Sequence, residues 1–168
     1  MRRLAPLAAV VVLAACGGES RPVPPGAVAL VGDRAVTRAA LGLELAHVRR
    51  VYALEQKSFP ARGTGAYREI QDNVVRLLVD RARLEVEAAR EGVSVTDAQV
   101  EARLMRIKQS AFGGDEERYR AQLLRTGTTD AAVHEAIRIA LLSDALVGKH
   151  PSAPGVKYAA GFEPAGTS

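Results

Sequence analysis

The sequence predicts an all-α domain of about five helices, one of them long, with a short N-terminal strand that pairs with a C-terminal strand. Three observations carry that fold class. Apolar residues recur at helical spacing through most of the chain after Thr37. Side chains able to cap a helix stand in front of those periodic stretches, foremost Thr96 with Gln99 three residues on. Aromatic residues make up only 4% of the 168 and Trp is absent, so the core must be built from Leu, Val, Ile and Ala. Such side chains fill thin helical layers better than a thick barrel or sandwich.

Each element has its own warrant. Ala27 to Val31 is a short apolar run, and Gly32-Asp33 after it reads as a tight turn leading to a helix N-cap at Thr37. From Arg38 to about Gln56, Leu41, Leu45, Val48 and Tyr52 form one helical face, while Leu43, Val51 and Leu54 widen the apolar surface beyond one stripe. Pro60, Gly63 and Gly65 make Lys57 to Gly65 a loop. The long helix runs from Ala66 to Glu91, with Ile70, Val74, Leu77 or Leu78, Arg81 and Leu84 near one face and Gly92 at its C-terminal cap.

Thr96 and Gln99 form a capping box, and Val95 and Val100 sit where a hydrophobic staple would place them. A third helix therefore starts at Asp97 and continues to about Ser110 through Val100, Leu104 and Ile107. Gly113-Gly114 ends it. Asp115 caps a fourth helix that stops before Gly127, with Glu116 and Glu117 in the first turn where the macrodipole favours them. Thr129 caps a fifth, with Val133, Ile137, Leu141 and Asp144 on one line and Leu142 and Leu146 beside it.

From Gly148 onward, Pro151, Pro154, Gly155 and Gly161 prevent further helix. Val156-Lys157-Tyr158-Ala159 alternates weakly as a strand would. An unpartnered buried strand is costly, so residues 156–159 are expected to pair with 28–31. The alternative is a disordered Gly/Pro tail.

Composition excludes several kinds of chemistry. A single cysteine rules out a disulfide scaffold and multi-cysteine zinc patterns, and His47, His134 and His150 show no ligand spacing. No metal and no cofactor is expected. The net charge of +4 falls to +2 without Arg2 and Arg3, and the remaining charges interleave along helices, as at Glu85, Glu87, Arg90 and Glu91. That pattern is a solvated helix surface, so no nucleic-acid partner is expected. Gly17-Gly18 and Gly113-Gly114 lack the flanking strand and Lys-Ser/Thr of a phosphate loop. No nucleophile elbow and no paired Ser and His can be drawn, and His47 and His134 read as surface or satisfied side chains. No catalytic residue is assigned.

The first sixteen residues have an organisation of their own. Met1-Arg2-Arg3 is a positive start, and Leu4 to Ala15 is an apolar run that as a helix would span about 18 Å, short of a membrane crossing. It ends Leu13-Ala14-Ala15-Cys16-Gly17, which resembles the lipobox of bacterial lipoproteins. The resemblance implies removal of residues 1–15 as a signal peptide and a covalent lipid on Cys16, the cofactor-like group of this chain. Two or more acyl chains give stable anchoring where one gives marginal binding. Gly17 to Gly26, with Pro22, Pro24 and Pro25, reads as a tether reaching at most about 30 Å.

The order of the folded elements resembles a known family. The apolar strand, Gly-Asp and Val-Thr are followed by a helix, then by Val75-Arg76-Leu77-Leu78-Val79-Asp80-Arg81-Ala82-Arg83-Leu84 and Glu87-Ala88-Ala89-Arg90-Glu91-Gly92-Val93-Ser94-Val95-Thr96-Asp97. Leu123-Leu124-Arg125-Thr126-Gly127-Thr128-Thr129 and Ile137-Arg138-Ile139-Ala140-Leu141-Leu142 continue it. Together they resemble the N-terminal domain of SurA-like and PrsA-like chaperone-foldases over about Val28 to Val147. The organisation expected is a lipoprotein signal peptide at 1–15, a lipid-anchored linker at 16–26, a helical chaperone domain at 27–150 and a Pro/Gly-rich tail at 151–168.

The resemblance implies an ATP-independent holdase, related in design to the chaperone arm of trigger factor, for unfolded secreted or envelope polypeptides. It would be held by its lipid to the extracytoplasmic side of a membrane in the cell envelope. Many relatives carry a parvulin-type prolyl isomerase domain after the fifth helix. Only 21 residues follow Val147 here, too few for one, so a non-enzyme is expected. A structural or adaptor module that dimerises or recruits an envelope partner is the alternative, and a prolyl isomerase by family association a third. The first helix carries more apolar residues than one buried face requires, which makes Leu43, Val51, Leu54 and Phe59 the expected peptide-binding residues. In the contrary case all four pack on the long second helix.

Overall fold

The structure, a computed structural model, describes residues 22–147, 156–158 and 160. The leader and Cys16 lie outside the described residues, as does Ala159. Two strands, β1 (Ala27–Val31) and β2 (Arg34–Thr37), precede five helices, α1 (Arg38–Leu54), α2 (Gly65–Arg90), α3 (Asp97–Phe112), α4 (Glu116–Thr126) and α5 (Asp130–Leu146), and a strand β3 (Val156–Tyr158) follows.

The helix starts follow the capping chemistry. Thr37 Oγ1 accepts from the Ala40 amide at 3.0 Å, and Thr129 Oγ1 accepts from that of Ala132 at 3.2 Å. Asp115 Oδ1 accepts from the amides of Glu117 and Arg118 at 2.9 and 3.0 Å. The capping box is complete: the Gln99 amide donates to Thr96 Oγ1 at 3.3 Å, and the Thr96 amide donates to Gln99 Oε1 at 2.8 Å. Thr64, which the sequence reading leaves inside a loop, caps α2 by accepting from the Tyr67 amide.

The strands form one antiparallel sheet in the order β2-β1-β3. The C-terminal pairing is present, with Ala29 opposite Tyr158, Leu30 opposite Lys157 and Val31 opposite Val156. Yet β1 has a second partner, so the single N-terminal strand of the sequence reading is corrected to a hairpin. Residues 34–37 escape a periodicity argument because Val36 alone among them is buried.

Two lobes hold the core. In the first, Val28, Val31, Val36 and Leu41 pack on Val74, Val75, Val79 and Ala82, with Leu45, Val48, Ile70 and Leu78 partly buried around them. The α2 face thus uses Leu78, while Leu77 is exposed. In the second, Val100, Leu104, Tyr119 and Ile137 join α3, α4 and α5. A third cluster joins α5 to α2, where Leu142 and Leu146 on the other side of α5 pack against Ala88.

Polar contacts fix α5 against α3. Arg138 donates to the Val95 carbonyl at 3.1 Å and to Asp97 Oδ1 at 2.7 Å. His134 Nδ1 lies 2.8 Å from the Asp130 carbonyl and Nε2 lies 2.7 Å from Glu101 Oε1. Both neighbours are acceptors, so the doubly protonated ring satisfies both. The Asp130 carbonyl first, then Glu101, raises the His134 pKa above its ordinary 6.5. A raised folded value makes this stabilisation complete below the ordinary value and lost as pH rises through the raised one. The melting temperature is expected to fall across that window, and His134→Gln to flatten the fall. An unchanged pH profile in the variant would remove His134 from that role.

Candidate functional site

The α4–α5 turn is docked on the last turns of α1. Gly127 ends α4 at φ +65°, in the left-handed region that favours glycine. Its absent side chain also permits the contact: a Cβ there would stand 3.0 Å from Leu54 Cδ1 and 3.5 Å from Arg50 Cβ. Its carbonyl accepts twice from α1, from His47 Nδ1 at 3.1 Å and from Arg50 Nε at 3.2 Å. A carbonyl can only accept, so His47 carries its proton on Nδ1. The histidine is a clamp on the turn.

Beside this joint lies an open groove of about 460 Å³, within the size range of ligand clefts. Arg50, Ala53 and Leu54 of α1 form one wall, and Leu123, Leu124, Gly127, Thr128 and Thr129 form the other. Leu54 is 51% exposed and Leu124 78%. Two leucines thus stand in water across a groove whose lining includes a single charged residue, Arg50. That geometry suits a short apolar segment laid between the two walls.

The four residues expected to bind peptide are not one patch. Leu54 lines the groove. Val51 is half-buried behind it, with its amide nitrogen near Gly127. Leu43, 74% exposed, lies toward the other end of α1, in a separate depression bounded by Ala35, Thr37 and Arg81. Phe59 is half-buried in an aromatic cluster, edge-on to Tyr52 at 5.3 Å and to Tyr67 at 6.1 Å, with the Arg49 guanidinium 4.9 Å from its ring centroid. It closes the α1–α2 hairpin.

Leu123 and Leu124 are the groove residues the periodicity argument missed. The sequence carries a signal for them. Adjacent leucines on an 11-residue helix cannot both face one core, and Leu123 is the one packed there.

The charged cluster at the opposite end of α1 is structural. Arg34 pairs with Glu85, and Arg81 Nη1 reaches Glu44 Oε1 at 2.6 Å, tying β2 and α1 to α2. Burial raises the Glu85 pKa, with Arg34 opposing it. Among the described residues no group of three or more His, Cys, Asp or Glu could hold a metal ion, and no helix is long and apolar enough to cross a membrane.

Among known proteins, a family model described as the SurA-like N-terminal domain matches residues 4–147. No curated protein and no solved structure matches the chain.

Proposed function

The chain belongs to the SurA-like N-terminal domain family, a chaperone-type module, and on that premise we propose that it is a lipid-anchored, ATP-independent holdase for unfolded or translocating secreted polypeptides. The observation that carries the reading is the groove, with Leu54 and Leu124 exposed across it. Weak, sequence-tolerant capture of apolar segments needs exposed apolar surface on a rigid frame. The His47 and Arg50 bonds to the turn supply the rigidity.

The position of the tether supports the same reading. The Gly26 carbonyl accepts from the Arg38 amide at 2.8 Å, so the linker joins the domain at the N-terminus of α1. A helix of 17 residues carries the chain about 24 Å from there to the groove. A lipid on Cys16 would attach the membrane tether at the sheet end, with the groove toward the other end of α1.

The test uses the mature lipoprotein in vesicles of neutral lipid. Mass spectrometry is expected to show an acylated Cys16 and no peptide from residues 1–15, and the vesicles to suppress light scattering by a denatured client without nucleotide, where bare vesicles do not. An unmodified Cys16 would overturn the anchor. Unchanged client aggregation at excess protein would overturn the holdase.

A further inference from the structure

The segment that leads from the groove wall on α1 into the start of α2 is rich in cations. Between residues 49 and 68 stand Arg49, Arg50, Lys57, Arg62 and Arg68, against the single carboxylate of Glu55. That carboxylate is engaged by Lys57 at 2.8 Å. Several cations elsewhere in the domain are held by carboxylates. At the other end of α1 the cations are matched, Arg34 by Glu85 and Arg81 by Glu44. On α3 and α4, Lys108 and Arg120 both meet Glu116.

The groove wall keeps its charge uncompensated. Arg50 spends its Nε on the Gly127 carbonyl, a neutral acceptor. Arg49, one residue earlier on α1, lies over the Phe59 ring, which leaves its charge in place. Among the described residues neither guanidinium has a carboxylate at ion-pair distance. An arginine presents several donors in a planar fork, so each keeps donors for a further acceptor.

We propose that the groove selects apolar polypeptide segments flanked by carboxylates, the apolar residues lying between Leu54 and Leu124 and an Asp or Glu of the same segment meeting Arg50. This rests on the groove being the client site. Charge complementarity singles out the occupant: a lysine-flanked segment would bring like charge to an uncompensated cation, whereas an acidic flank finds an open partner. The contact is at the rim, half in water, so it tunes preference and salt dependence more than overall affinity.

The experiment titrates the mature lipoprotein, held in nanodiscs of phosphatidylcholine, against three fluorescent peptides. They share one Leu/Val/Phe core and differ only in their flanks: aspartates, serines or lysines. At low salt the aspartate-flanked peptide is expected to bind about fivefold tighter than the serine one, and the lysine one weakest, with the spread shrinking as salt rises. Arg50→Glu is expected to reverse the order in favour of lysine flanks, a change that loss of folding cannot imitate. Equal binding of all three peptides would overturn the charge selection and leave the groove as an apolar site. Binding of none would overturn the groove as the client site, and the selection with it.

Discussion

Replacing Leu54 and Leu124 together with serine is expected to reduce capture of an apolar peptide about a hundredfold while the melting temperature stays close to that of the unchanged chain. The two side chains already stand largely in water, at 51% and 78% exposure. Little burial is lost in the free domain, and substitutions at such positions usually move stability by no more than about 0.5 kcal/mol. The bound state differs. Covering a leucine with a client's apolar side chain contributes about 1.5–3 kcal/mol, and two of them acting on one segment reach about 3 kcal/mol or more. Each 1.4 kcal/mol is about tenfold in affinity. Peptide titration and thermal melting on the same preparation separate the two effects. Full binding by a folded double variant would remove the groove from the proposed function.

The same pair of leucines shows where sequence reasoning stops. Helix limits were legible because caps are local chemistry: Thr37, Asp115, Thr129 and the Thr96–Gln99 box each act within three residues of themselves. The surplus of apolar residues on α1 was legible as well. What it faces was not, because Leu54 meets a turn more than 70 residues away, through a glycine whose carbonyl holds His47 and Arg50. Leu43 and Leu54 lie three helical turns apart on one helix, and only the packing of the turn gives one of them an opposite wall. Phe59 beside Pro60 suggests exposure in sequence, yet Tyr52 and Tyr67 lie on either side of the loop and enclose it. Strand β2 was hidden for a different reason, since one buried valine in four residues carries no period. The strand at 156–158 was legible from a weak alternation joined to an accounting of backbone partners.

The second large effect is expected at Tyr119, which holds the lobe that carries one wall of the groove. Its ring is 3% exposed, packed edge-on against Phe112 at 5.7 Å, with Lys108 Nζ 4.1 Å from its centroid. Its hydroxyl donates to Asp130 Oδ1 at 2.7 Å, in the first turn of α5. Burial first, then that hydrogen bond, pushes the phenol pKa above its ordinary value. Tyr119→Ala removes the ring from the centre of the α3–α4–α5 cluster, and deletions of buried aromatics cost about 3–5 kcal/mol. Against a total of about 5–15 kcal/mol for a domain, that is a large fraction. Tyr119→Phe keeps the ring and loses only the bond to Asp130. Asp130 is 55% exposed at its side chain and also lies 3.2 Å from His134, so water and the imidazole can take up its oxygens. That variant should lose about 1 kcal/mol. Denaturant titration of the three proteins reads the order directly, and equal losses in the two variants would move the weight from the ring to the hydroxyl. Because Leu123 and Leu124 ride on the helix that Tyr119 anchors, peptide capture should fail in Tyr119→Ala at temperatures where this lobe has melted and persist in Tyr119→Phe.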